Sequence, residues 1–114
     1  MAVHDNECLS FEQQFRRLQE AFCRDLTRQY SARTVRRHRM VLQVFFDFLC
    51  DETAVASLEQ VTKGMVNSGF RRWYHRKVWD QTSDSELRAT LKKFFRFLAK
   101  KKGIENVRAL EALR

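Results

Sequence analysis

The feature that most limits how this chain can fold is a shortage: its 114 residues include no proline and only three glycines. Turn-rich architectures draw on both, glycine for left-handed backbone and proline for pre-set turn geometry. Three glycines cannot supply the turns of a many-stranded sheet, so the chain reads as all-α. Hydrophobic residues make up 44% of it and ten residues are phenylalanine. That is enough for one core without disulfide or metal staples.

Two phenylalanine-rich stretches carry the helical pattern. In SARTVRRHRMVLQVFFDFLCD, Ser31 to Asp51, the residues Val35, Leu42, Phe45, Phe46 and Leu49 share one helical face. RATLKKFFRFLAKK, Arg88 to Lys101, echoes it. Aligned on Leu42 and Leu91, the stretches match at Arg39/Arg88, Phe45/Phe94, Phe46/Phe95, Phe48/Phe97 and Leu49/Leu98. The outer faces differ, because Gln43, Val44 and Asp47 are answered by Lys92, Lys93 and Arg96.

Residues 1–10 are weakly patterned and are expected to be a flexible tail, with His4 part of it rather than a ligand. A first helix is expected from about Leu9 to Tyr30, on a stripe of Phe11, Phe15, Leu18, Phe22 and Leu26. Arg16, Arg17, Arg24 and Arg28 lie off that stripe among Glu12, Glu20 and Asp25, as on a solvated face. Ser31 is a natural N-cap for the second helix. His38 shares the face of Leu42 and Phe45 and reads as a core-edge histidine.

An acidic connection, 51–60, is anchored by Leu58 and Val61. Thr62 then caps a third helix over Lys63–Val78, burying Met65, Val66, Phe70, Trp73 and Tyr74. Trp73 and Trp79 read first as core, with base stacking the competing role. His75, among Arg71, Arg72 and Arg76, is expected to face phosphate. Ser83 and Glu86 form a capping box for a fourth helix with Leu87, Leu91, Phe94, Phe95 and Leu98 on its apolar stripe. Phe97 lies off that stripe and needs a cover from the chain or a partner. Lys92, Lys93, Arg96 and Lys100 fall within an arc of about 100° on the opposite side. Gly103 closes the helix, and a short last helix is expected over Asn106–Leu113.

The net charge is +8, and its distribution matters more than its sum. Residues 31–50 hold four arginines against Asp47 alone, and 63–77 hold Lys63, Arg71, Arg72, Arg76 and Lys77 with no acid. In 83–103, seven basic residues face Asp84 and Glu86. Positive charge collected on three helices points to nucleic acid as the partner. Three widely spaced cysteines without a CxxC pair point to reduced thiols and a cytoplasmic setting, with no metal and no cofactor. No apolar run has membrane-spanning length. Phosphate-binding glycine loops are absent, the acids are scattered, and no nucleophile is paired with a base, so no catalytic residues are assigned.

In their order, these signals resemble the N-terminal core-binding, SAM-like domain of tyrosine recombinases and phage integrases. The second-helix pattern is carried by Ser31, Thr34, His38, Leu42, Phe45 and Leu49, with His38 where the family usually has Tyr. Leu58, Val61 and Thr62 match the lead into the third helix. Leu91, Lys93, Phe95, Phe97 or Leu98, Gly103 and Ile104 match the last long helix, while Asn106-Val107 replaces a common Asn-Pro. The resemblance covers residues 11–107. It implies a four-helix domain of two crossed helical hairpins, occupying 11–105, with a short C-terminal helix or linker start over 106–114. It also implies double-stranded DNA as the partner, alongside other recombinase protomers, and a non-catalytic role in DNA integration and recombination. The catalytic domain would lie outside this chain; the chain would be a piece of an integrase or a stand-alone module. The expected DNA-binding residues are Arg33, Thr34, Arg36, Arg37, Arg39, Gln43, Lys63, Arg71, Arg72, Arg88, Lys92, Lys93, Arg96, Lys100 and Lys101. A helical protein–protein module built on Phe97, Trp79 and the final helix is the alternative.

Overall fold

The computed structural model describes residues 3–113, with side chains described from Ser10 onward. The side chains of His4 and Cys8 therefore lie outside the described residues. Helices follow in the order α1 (Val3–Leu26), α2 (Ala32–Glu52), α3 (Phe70–Lys77), α4 (Asp84–Lys101) and α5 (Val107–Ala112), with no strand among the described residues. The chain divides into two compact units, Met1–Ser57 and Leu58–Arg114.

The first unit is a helical hairpin. α1 starts at Val3, earlier than its apolar stripe alone indicates, and ends at Leu26 rather than Tyr30. The chain turns there because the amides of Gln29 and Tyr30 both bond back to the Leu26 carbonyl. Ser31 is extended, and its hydroxyl accepts the Thr34 amide as the N-cap of α2. Phe11, Phe15 and Phe46 form one aromatic cluster between the helices, with Phe15 and Phe46 centroids 4.9 Å apart. Such ring pairs add about 0.5–1.5 kcal/mol each beyond the area they bury. Gln19 is buried, and its amide donates to the Arg39 carbonyl at 3.0 Å, a polar pin across the hairpin. His38 is half-buried and edge-on to Tyr30, which fits a place at the core's rim.

The second unit opens with a single 3₁₀ turn, Leu58–Gln60. Asn106 holds it: the side-chain amide donates to the carbonyls of Leu58 and Val61, both at 2.8 Å, while Oδ1 accepts the Ala109 amide as the N-cap of α5. Ala109 and Leu113 are buried, so α5 is packed structure. Thr62 Oγ1 accepts the Met65 amide, as a cap should. The third helix is not uniform, however. Met65–Gly69 is π-helical, and the Phe70 amide reaches the Met65 carbonyl five residues back before α3 continues. Glycines at 64 and 69 bracket this wide turn, and their low helix propensity makes it cheaper to distort than an alanine-rich one.

α4 begins with the full capping box of Ser83 and Glu86. Leu87, Thr90, Leu91, Phe94, Phe95, Phe97 and Leu98 are buried along it. Phe97 is thus covered within the chain. Gly103, at φ 66°, lets the Ile104 amide return to the Leu98 carbonyl and ends the helix.

Candidate nucleic-acid interface

In the first unit, Arg36, Arg39 and Gln43 come together on one flank of α2. With Arg16, Gln19, Glu20, Met40 and Val44 they line a shallow depression of about 650 Å³ between α1 and α2. Two of the three are engaged. Arg39 forms an ion pair with Glu20, and that bond, ahead of the opposing effect of burial, raises its already high pKa. Gln43 donates to Asp47 at 3.3 Å. Desolvation lifts the Asp47 carboxyl above the usual aspartate range, the Gln43 bond opposing and Asp51 reinforcing the shift. Arg36 and Arg33 are exposed and make no ion pair with a described residue. At 100° per residue Arg33 lies about 60° from Arg36 on the side away from Arg39, and Arg37 lies about 100° from Arg36 on that side, so the expected α2 arginines spread over an arc of about 160°. Thr34 is half-buried beside the Ser31 hydroxyl, 3.1 Å away, which makes it part of the cap.

In the second unit the expected residues also sort into engaged and available. Lys63 pairs with Glu111 at 2.9 Å. Arg71 donates to Asp84 at 3.5 Å and to the Asn67 side chain at 3.3 Å. The other oxygen of Asp84 lies 2.6 Å from His75 Nε2, so His75 meets a carboxylate where a phosphate was expected. These pairs are solvent-exposed and worth no more than about 1 kcal/mol each, so an incoming phosphate can compete for the cations. Arg72 is exposed and makes no ion pair with a described residue.

α4 carries a regular row of cations on one face. Lys92, Arg96 and Lys100 recur every fourth residue, opposite the buried stripe; Arg96 and Lys100 are exposed and Lys92 is half-buried, and none makes an ion pair with a described residue. With Ala99 and the α5 residue Leu110 they line a depression of about 250 Å³. Lys93 and Arg88 are half-buried on either side of this row. Lys101 is exposed, but its helical position is on the Phe94–Leu98 side, just past the last buried residue, so it does not extend the row.

Sequence reasoning missed the acids that organise the cations, because Glu20, Asp84 and Glu111 are remote in sequence from their partners. It also put Trp79 in the core first. Trp73 is indeed 5% exposed, but Trp79 is 93% exposed, just past the end of α3. Tyr74 is buried below it, with its hydroxyl donating to Asp80 at 2.8 Å. Burial pushes that hydroxyl above the ordinary tyrosine range, the Thr82 bond opposing and Asp80 reinforcing the shift. At Asp80 desolvation is outweighed by the Thr82 amide, the Tyr74 and Thr82 hydroxyls and His75, which hold the carboxyl below the usual range.

No group of three His, Cys, Asp or Glu among the described residues could hold a metal ion. Cys23 is buried, and that burial raises its thiol pKa despite the opposing Arg39 charge; Cys50 is exposed. No described helix is long and apolar enough to cross a membrane.

A profile of the family described as phage integrase, N-terminal SAM-like domain, matches residues 20–102, the greater part of the chain. The chain belongs to this integrase domain family. The match is to a non-catalytic domain, and the all-helical structure agrees with it. No curated protein and no solved structure gave a significant match. As an integrase SAM-like domain the chain is a recombinase-related module. Its exposed cations, Arg96 and Lys100 of α4 among them, are the features that bear on what such a module would hold.

Proposed function

We propose that this integrase domain binds double-stranded DNA as the core-binding domain of a site-specific tyrosine recombinase. It would lend affinity and register to strand exchange carried out by other parts of the enzyme, and would itself perform no chemistry. The observation that carries this reading is the row Lys92, Arg96 and Lys100 on the face of α4 opposite its buried stripe, with no ion pair to a described residue. Successive members are about 6 Å apart along the helix axis. One DNA strand offers a charge every 3.4 Å or so of duplex axis, so separate phosphates can meet all three cations.

Arg33, Arg36, Arg37 and Lys93 would add phosphate contacts, as would Lys63, Arg71, Arg72 and Lys101 at the periphery. Arg39, Gln43 and Arg88 are the candidates for base edges, where Arg suits guanine and Gln suits adenine. Arg39 and Gln43 must first leave Glu20 and Asp47. Neighbouring recombinase protomers on the same DNA are the further partner, and the cytoplasm is the setting. A protein-docking reading has less support, because Phe97, one of its supposed contacts, is buried.

Titrating a fluorescent duplex at two salt concentrations tests the proposal. If about five phosphates are neutralised, log K should fall against log salt with a slope of roughly −4 to −5. Binding that ignores salt overturns it.

A further inference from the structure

Among the described residues, Trp79 stands out from every other large apolar side chain. Its indole is 93% exposed, whereas Trp73 and Tyr74, within the same stretch, are buried. The exposed ring is nevertheless held. Its Nε1 donates to the Arg76 carbonyl at 3.3 Å, so its one polar atom is satisfied and its π-faces are left to solvent. Arg76 and Lys77 close the last turn of α3, and Arg72 lies one turn earlier on the Arg76 side of the helix. These three cations are exposed and make no ion pair with a described residue. The adjacent acid, Asp80, is exposed, and its carboxylate is engaged by the Tyr74 hydroxyl and the Thr82 amide, 2.8 and 3.0 Å away. A fixed aromatic plate edged by cations suits a ligand with a flat ring and a negative backbone, namely a nucleotide. Bases inside an intact duplex offer their edges only, so the plate can be used only by a base that has left the stack.

We infer that Trp79, with Arg72, Arg76 and Lys77, forms a stacking site for an unpaired nucleotide, so that this domain prefers DNA with a locally unstacked base over intact duplex. The inference rests on the DNA-binding proposal and adds a structural preference to it. Because the ring is pinned before binding, little rotamer freedom is lost when a base lands on it. The site reads the absence of pairing and tolerates any base, since each has a π-face.

The test compares a labelled duplex with the same duplex carrying one unpaired thymidine, using the whole chain and its Trp79→Ala and Trp79→Phe variants in fluorescence anisotropy. The wild type should bind the bulged duplex at least ~5-fold more tightly, with a fall in indole emission. Trp79→Ala should lose that preference yet stay within about twofold of wild type on intact duplex, and Trp79→Phe should keep part of it. The side chain buries almost nothing, so both variants should melt with the wild type. Equal wild-type affinity for the two DNAs without a change in emission overturns this inference and leaves duplex binding standing. Binding to neither DNA overturns both. A self-association that persists at high salt and vanishes in Trp79→Ala also overturns it, by assigning the indole to a protein contact.

Discussion

Arg39 of α2 is ion-paired with Glu20 of α1, nineteen residues earlier in the chain. The pair stands at the edge of the depression that also holds Arg36 and Gln43. A cation expected to meet DNA is therefore already neutralised by its own protein. Both side chains keep about half their exposure, 42% for Arg39 and 55% for Glu20. Water and salt screen such a pair, which limits its worth to less than about 1 kcal/mol.

Replacing the acid should release the base. Glu20→Gln is expected to raise duplex affinity by about two- to fivefold at low salt while lowering stability by less than about 1 kcal/mol. Anisotropy titration and urea unfolding measure the two effects. Unchanged affinity would remove Arg39 from the set of DNA contacts.

On α4 the expectation is a loss of binding without a loss of fold. Lys92→Glu combined with Arg96→Glu should weaken duplex binding at least ~100-fold and flatten the salt slope by about 2. Neither side chain contributes to the buried stripe, so the thermal midpoint followed by circular dichroism should move by only ~2 °C or less. A double variant that unfolds would show that these residues face the core.

Asn106 should behave in the opposite way. Asn106→Ala takes the side-chain donor from the Leu58 and Val61 carbonyls, leaving Leu58 only its 3.4 Å bond from the Val61 amide, and removes the cap from the Ala109 amide in a buried setting. Urea unfolding should show a loss of about 2–4 kcal/mol. Asn106→Asp keeps the cap on Ala109 but brings a buried charge toward two carbonyls, so it should be no better tolerated.

Tyr74 sets the alkaline limit. Its folded pKa lies above its unfolded value near 10, so the stabilisation it provides is fully present below about pH 10 and is lost as pH rises through the folded value. Tyr74→Phe should cost about 1 kcal/mol at neutral pH through the lost hydrogen bonds. Its urea midpoint should then fall less steeply than that of the wild type above pH 10. Parallel curves would mean that Tyr74 ionises at the same pH in the folded and unfolded chain.

Much of the fold was legible because its signals are local. Ser31, the Ser83–Glu86 box and Gly103 act within a turn of their own positions, and the phenylalanine stripes report helix faces directly. The π-helical turn at Met65–Gly69 was not legible, since glycine at 64 and 69 marks weakness without saying how the backbone will yield. The interface was legible only as a stock of cations. Which remain available depends on Glu20, Asp84 and Glu111, whose approach is a tertiary event, and no spacing rule encodes it. Trp79 was misplaced because helical spacing was extended past Lys77, where the helix has already ended. Asn106 shows the converse case. The absence of proline after it looked like a departure from a family pattern, whereas its side chain has two carbonyls to hold.

The two ends of α4 are unlike, with Asp84 and Glu86 in its first turn and Lys100 and Lys101 in its last. An 18-residue helix is about 27 Å long, well beyond the ~10 Å over which 0.1 M salt lets a charge be felt. At that ionic strength an approaching polyanion senses only the end nearest to it, and the Asp84 end, where Arg71 offsets the carboxylate, attracts it less than the basic end. In dilute salt it senses both ends together and exerts a torque that swings the basic end forward before contact. α4 would then act as a compass needle during encounter, and lowering the salt should raise the association rate more than it slows dissociation.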